Sequence, residues 1–574
     1  MKKQLPSTAL KIKIFIEMFT KKSISRFSLI LVYVFVLAAA SWYVNGKSFI
    51  GIDDANIYMV YMKNFAQGHG FVYNIGDERV EGFTSLLWTI IGSFVFLISS
   101  SPEFLLLGLN LVIIAYTLYL VVDHIEKPNA NRKNIISSNS WLFLLAIGAT
   151  PGFIDWTIIS LMETGLWTMI ITALSLKMIS FNGAQNKRIY YTTFNILIVF
   201  LLICRPESML IAPVLIFLNG FKEFYLSRSI KVVSIGISLN ISVLILTLSA
   251  LLVWRYSYFG YLFPNTYYAK VSLDWLDNLK AGIKYLYSLF LEKPYILGVI
   301  GLGAFTIIRF AIKKQMETIK VPLILFLIIS IFLAIPLYSG GDHFRLHRFI
   351  IPAVPLIILL LIKCLEIYYP KISKTTFLMV FVLIFFSCSY NLTDLYFHKN
   401  PPLKIEWDIA IAGRDASSRL NGLFSDAHKY PSQGVLGAGG RAYTYKGKTI
   451  DLLGLNNTKM AHADKVKDKN LTKNHASFNV DVFFDLNPDL FWHNACRFVN
   501  TSEPISTEIN FDTKWWISKV FKNVHLDQRF KERYGFYRIT NKKNSSQSLE
   551  IFARKEFVDS LDKSIYSATA IGYN

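Results

Sequence analysis

Residues 53–88 read DDANIYMVYMKNFAQGHGFVYNIGDERVEGFTSLLW, and this stretch decides the organisation of the chain. It opens on two adjacent carboxylates, Asp53 and Asp54, just past the apolar run Phe27–Val44. That run is just long enough to span a hydrocarbon core of about 30 Å. Residues 54–66 have helical spacing, with Ile57, Val60, Tyr61 and Phe65 on one face. Asp54 suits a cap or first-turn position of that helix, or a general base whose like-charged neighbour raises one of the two pKa values.

Working outward, the 574 residues are 53% apolar and only 17% charged, where an ordinary soluble protein is about a quarter charged. This excludes a disordered or fibrous chain and argues against a soluble multidomain enzyme. Further apolar runs lie near 83–98, 103–122, 141–156, 164–180, 189–204, 208–219, 232–254, 295–308, 321–338, 349–362 and 375–390. The net charge of +21 is unevenly placed. Residues 392–574 hold 26 Lys+Arg and 20 Asp+Glu, so +15 lies between the apolar runs of residues 1–391. Cations beside spans are a topology signal rather than a nucleic-acid footprint, and no nucleic-acid partner is expected.

The count of spans follows from those cations. If 83–98 returns to the side it came from, the loops 1–26, 123–140, 181–188, 220–231, 309–320 and 363–374 share one side, with 22 Lys+Arg in 88 residues. The opposite loops hold 11 in 119. The basic side is cytoplasmic. The expected architecture is therefore a polytopic α-helical membrane protein with about 11 transmembrane helices and a C-terminal periplasmic α/β domain. Its parts are a cytoplasmic basic N-terminus (1–26), a membrane domain (27–391) with a first periplasmic loop (45–102), and the soluble tail (392–574). An uncleaved first helix suits the N-terminus better than a signal peptide, because no small-residue cleavage site is evident. Of Cys204, Cys364, Cys388 and Cys496 only the last lies in the tail, so no disulfide framework is expected.

The polar segments fall together on the outer side: 51–85, 160–164, 205–207, 255–270 and 340–348. Such convergence on one side of a bundle predicts one composite site at the membrane surface. Residues 53–88 closely resemble the first periplasmic loop of a GT-C glycosyltransferase family. That family includes the terminal β-1,2-arabinofuranosyltransferases of mycobacterial cell walls and the LphB-type proteins. Asn56 and Phe83 stand where its pattern has Tyr, and Asp77 is inserted before Glu78-Arg79. Ser160-Leu-Met-Glu163-Thr164 resembles the family's S-G-L-E-T turn, and Arg205-Pro206-Glu207 its R-P-E. Trp254-Arg255 with Pro264-Asn265-Thr266 and Lys270 resembles W-R…P-N-T-x-Y-A-K, and Gly340-Gly341-Asp342-His343 with Arg348-Phe349 resembles G-G-D-x-x…R-F. In the tail, Gly437–Tyr445 and Thr449–Leu455 resemble a small-residue segment followed by D-x-x-G-L.

The resemblance implies a GT-C fold and transfer of a sugar from a polyprenyl-phosphate donor to a hydroxyl of a glycan or glycolipid. The reaction would run on the periplasmic side of a bacterial inner membrane. It implies that Asp53 or Asp54 is the base. It implies substrate-binding roles for Arg79, Glu81, Glu163, Arg205, Glu207, Arg255, Asn265, Lys270, Asp342, His343 and Arg348. The residue types suit this chemistry. A hydroxyl needs a base as the C1–O bond breaks, while a lipid phosphate leaves without a general acid and needs cations instead. A direct displacement inverts the anomeric centre. No metal ligands are assigned, since His69 and His343 are not a metal-spaced pair; a divalent cation bridging phosphate and the two aspartates stays open.

Each position has a plainer reading. Arg255, Arg345 and Arg348 suit interfacial anchors, and Glu163 and Glu207 suit helix caps. Gly68–Gly70 and Gly437–Gly440 read as turns, and the aromatics of 254–268 as an interfacial belt. Residues 400–560 read as a small α/β domain with β-like runs at Val435–Ala438, Thr449–Leu453, Val480–Phe484 and Asp489–Trp492, then a frayed end. Other functions remain: a relative acting on lipid A or protein, a flippase or transporter of lipid-linked sugars, or a membrane-anchored binding module. A transporter would place charges at span centres and show repeats, and neither is seen.

Overall fold

The computed structural model describes residues 21–573 except 100, 128–134, 184–185, 228, 272–273, 369–372, 374, 377, 385, 388–400, 402, 465–466, 469–470, 472–474, 506–507, 510–513 and 545. Cys388 and most of the basic N-terminus lie outside them.

Two compact units cut across chain order. One holds residues up to Phe49, Glu103–Leu248 and Lys280–Pro402; the other holds Ile50–Pro102, Ser249–Leu279 and Leu403–Asn574. The division at residue 392 drawn from hydropathy therefore differs from the packing, which groups the first loop with the tail.

The helices are α1 (Lys21–Val44), α2 (Asp53–Ala66), α3 (Leu86–Ile98), α4 (Pro102–Glu126), α5 (Ser138–Ala149), α6 (Thr164–Ser180) and α7 (Lys187–Cys204). They continue as α8 (Ser208–Ser227), α9 (Ile230–Phe259), α10 (Asn265–Lys270), α11 (Trp275–Glu292), α12 (Pro294–Ile312), α13 (Met316–Ser339) and α14 (Val354–Tyr368). Among the described residues eight helices are long and apolar enough to cross a membrane: α1, α4, α7, α8, α9, α12, α13 and the stretch Ile351–Tyr368. The chain is a multi-pass membrane protein with a C-terminal mixed domain. Exposed side chains such as Val32, Phe35, Phe217, Leu246 and Ile308 would be a solubility fault in water and are what a lipid solvent requires.

Three of the eleven expected spans are not among these eight. The run 141–156 is not one helix. Pro151 ends α5 and Gly152 takes φ +81, after which a π-helical turn, Asp155–Ile159, leads on. Helix α6 is shorter than the eight. The run 375–390 is helical at its described residues up to 387. Helix α3, at 13 residues, is about 20 Å long and too short to cross, in keeping with the charge count.

The tail contains α15 (Lys404–Leu423), α16 (Gly439–Thr444), α17 (Thr458–Ala463) and α18 (Val480–Leu486). Its strands are β1 (Gln433–Val435), β2 (Thr449–Asp451), β3 (Leu490–Phe491), β4 (Arg497–Asn500), β5 (Glu508–Ile509), β6 (Tyr534–Asn541), β7 (Gln547–Arg554) and β8 (Tyr566–Tyr573). They form a mixed sheet in the order β2-β1-β3-β7-β6-β8-β5, with β4 beside β7. Phe483, Phe491, Phe530, Tyr534 and Phe552 fill its core.

Two expectations fail here. Val480–Phe484 is helical because Asn479 caps α18, accepting from the N–H groups of Asp481 and Val482, and Asn487 closes it in the left-handed region. The end is not frayed, since β8 pairs with β6 from Phe536↔Ile571 to Asn541↔Tyr566.

Candidate functional site

The loop containing the two aspartates belongs to the second unit. Gly51 (φ +72) turns the chain, Ile52 is extended, and α2 starts at Asp53. Both carboxylates stand in the first turn, where the helix dipole favours negative charge. The helix is buried on nearly every side, and only the expected apolar-face residue Phe65 is exposed. Asn56 folds back to donate to the carbonyls of Ile50 (3.0 Å) and Ile52 (2.8 Å), and its Oδ1 accepts from Arg414 Nε at 2.7 Å. This job gives the Asn56 departure from the family pattern a reason.

Asp53 is 7% exposed. Its Oδ2 accepts from the N–H of Gly439 (3.0 Å) and its Oδ1 from the N–H of Gly440 (2.8 Å), at the start of α16. The small-residue segment is therefore more than the expected turn, because it cradles a carboxylate. A Cβ on Gly439 would lie 1.8 Å from the Asp53 carbonyl oxygen. We expect Gly439→Ala to cost about 1–3 kcal/mol, read as a lower unfolding temperature and earlier proteolysis of the tail. Arg441, next along, lies 3.9 Å over the Trp492 ring, and burial lowers its pKa to about 10.

Burial pushes the Asp53 carboxyl up from 3.8 to about 6, against the pull of the two amides and Arg441. The fold then keeps a proton that the unfolded chain releases. The stability this gives is full below about pH 4 and is lost as pH rises through about 6, a change of about 3 kcal/mol. Thermal unfolding across this range should show the decline in wild type and a shallower one in Asp53→Asn, where buried Glu81, whose carboxyl burial pushes up to about 7, still titrates.

Asp54 differs. It is partly exposed and accepts no hydrogen bond among the described residues. Consecutive helical side chains diverge by about 100°, so it does not share the cradle. His475 feels both Asp54 and Lys270: burial lowers its pKa, Lys270 lowers it further and Asp54 opposes them. Its ring lies 5.5 Å from Trp516. His475 carries no local motif, which is why the sequence does not single it out.

Other expected residues of this unit make contacts within it. Glu81 and Arg255 form a buried two-pronged ion pair, with Nε–Oε2 at 2.9 Å and Nη2–Oε1 at 3.0 Å. Arg255 is thereby paired with Glu81, while its Nη1 has no hydrogen-bond partner among the described residues. The Asn265 N–H donates to the Glu81 carbonyl, and its Nδ2 donates to the carbonyls of Gly454 (2.7 Å) and Leu455 (3.1 Å). Arg79 is exposed and stacks 4.5 Å over Tyr258. Trp254, Tyr258 and Phe259 pack with Phe71 and Phe83, so these aromatics are loop core rather than a belt.

The first unit holds Glu163, Arg205, Glu207, Asp342, His343 and Arg348. Arg205 donates to Glu163 Oε1 through Nη1, and to Glu207 through Nε (2.9 Å) and Nη2 (2.8 Å). Glu163 is fully buried. The two acids are therefore ion-pair partners rather than helix caps, and Arg205 joins them. Arg348 bonds Asp342 at 3.1 Å. The two guanidinium groups lie 5.7 and 5.9 Å from the Phe349 ring. His343 is exposed and packs on Phe344. Leu161 has φ +60 at the position where the S-G-L-E-T turn has glycine, so the bend that presents Glu163 is here made by a residue that resists it.

Sequence reading missed the buried group beside this cluster. His347 Nε2 contacts Ser288 Oγ at 2.8 Å, its Nδ1 lies 3.4 Å from Glu292, and Lys293 pairs with the same acid. Among the described residues no three His, Cys, Asp or Glu side chains are grouped as metal ligands. Both oxygens of Asp53 are already engaged, so the aspartate pair does not present two open carboxylates to a cation.

No protein-family model and no curated protein matches the chain. Among solved structures it is similar to ArnT from Cupriavidus metallidurans bound to undecaprenyl phosphate, at 10% identity and a TM-score of 0.50, with 91% of this chain and 98% of that chain covered. It is also similar to the apo oligosaccharyltransferase of Archaeoglobus fulgidus, at 10% identity and a TM-score of 0.47, with 96% and 76% covered. At 10% identity the likeness to ArnT is one of fold alone: a polytopic helical membrane domain with a C-terminal domain.

Proposed function

We propose that this protein is a membrane glycosyltransferase that moves a sugar from a polyprenyl-phosphate donor to a hydroxyl of a glycan or glycolipid. The reaction runs on the periplasmic side of a bacterial inner membrane, with the N-terminus in the cytoplasm. Asp54 is the base and Asp53 is the anchor that sets it in place. The observation that carries this reading is the unequal fate of two neighbouring carboxylates: amides consume both oxygens of Asp53, and Asp54 accepts no hydrogen bond among the described residues.

Asp54 takes the acceptor's proton as its oxygen bonds to C1. The C1–O bond to phosphate breaks, and the lipid phosphate leaves with the electron pair. Lys270, the cation sensed with Asp54 at His475, answers the charge of that phosphate. The fold likeness to a protein holding undecaprenyl phosphate supports a donor of this class.

The test is purified protein in vesicles with a panel of polyprenyl-phosphate sugars and an envelope glycolipid extract. Mass spectrometry should find free polyprenyl phosphate and a glycolipid heavier by one sugar. If no donor of the panel is consumed while thermal unfolding shows an intact fold, the reading fails.

A further inference from the structure

Helices α7 and α9, within the first unit, enclose a groove of about 460 Å³ that the transfer reaction does not use. Arg188, Tyr191, Asn195 and Val199 recur along one face of α7, and Leu239 and Val243 come from α9. Besides its basic end, the lining carries the hydroxyls of Tyr191 and Thr192 and the amide of Asn195, and the rest is apolar. Arg188 and Lys187 stand exposed in the first turn of α7, and Lys231 stands exposed in the first turn of α9. Glu223, the acid beside the groove, is occupied by Tyr191 and by Asn219 (3.0 Å).

Asn195 lines the groove about two turns from Arg188. It is 8% exposed, and its Oδ1 has no hydrogen-bond partner among the described residues. The Asn195 amide also carries a donor, Nδ2, so an occupant with acceptor atoms at that depth suits it. A prenyl chain has none beyond its phosphate. A phospholipid has ester carbonyls there, which can accept from Nδ2.

We propose that this groove holds one anionic phospholipid from the leaflet at the Lys187–Arg188 end. Its phosphate meets Arg188, Lys187 and Lys231, its ester region meets Asn195, and one acyl chain lies against Val199, Leu239 and Val243. Two helix N-termini add to the positive field at that end. The site stands apart from the transfer reaction, so failure of either leaves the other intact.

The experiment is native mass spectrometry of the delipidated full chain with equimolar phosphatidylglycerol, phosphatidylcholine and undecaprenyl phosphate. Wild type should retain phosphatidylglycerol preferentially. Arg188→Gln should lower that retention about fivefold, and Arg188→Gln with Lys187→Gln about 30-fold, at one interfacial cation each. Arg188→Lys should restore most of it, and Val243→Trp should empty the groove. Equal retention of the charged and neutral phospholipids, no change in Arg188→Gln, or displacement of phosphatidylglycerol by undecaprenyl phosphate would each overturn the proposal.

Discussion

Asp54→Asn is expected to lower single-turnover sugar transfer by about 10²–10⁴-fold, the usual contribution of a positioned general base, while lowering stability by no more than about 0.3–1 kcal/mol, the worth of a first-turn carboxylate. The substitution is nearly isosteric at a partly exposed position without a hydrogen-bond partner among the described residues, so it removes proton affinity and little else. Donor binding should persist, because the amide still fits beside the lipid phosphate and Lys270 is untouched. The loss therefore falls on kcat rather than on KM. A variant that transfers at the wild-type rate would remove Asp54 from the reaction. A variant that unfolds early would show that it serves the fold.

Arg205→Ala is expected to destabilise the membrane domain by about 3–5 kcal/mol. Removing the guanidinium leaves Glu163, with no exposed surface, and Glu207 without the cation that pairs them. Glu207 is 17% exposed and can partly rehydrate, which places the effect toward the lower end. Thermal unfolding in nanodiscs measures it. Adding Glu163→Gln and Glu207→Gln to Arg205→Met should recover most of the loss, because no buried charge then lacks a partner. A phosphate-binding Arg205 would behave oppositely, with stability unchanged and KM for the donor raised.

The sequence made the membrane class legible through apolar runs and loop cations, and it made the aspartates legible because a helix start is a local signal. What it hid is non-local. The amides that hold Asp53 lie 386 and 387 residues away. Glu163 and Arg205 are 42 residues apart, and Glu163 alone reads as a cap. Strands β6 and β7 escaped notice because their buried positions include Arg538 and Glu550, an ion pair that breaks the apolar alternation. Helix α18 read as a strand because Val480–Phe484 has strong β-formers, which the two asparagine caps override.

The most direct test is release of polyprenyl phosphate from a labelled donor by wild type, Asp53→Asn and Asp54→Asn in identical vesicles, with folded fraction measured in parallel. The account predicts that Asp53→Asn, corrected for folded protein, keeps measurable turnover and that Asp54→Asn has almost none. The reverse order would make the cradled carboxylate the reacting one and contradict the division of labour between the two.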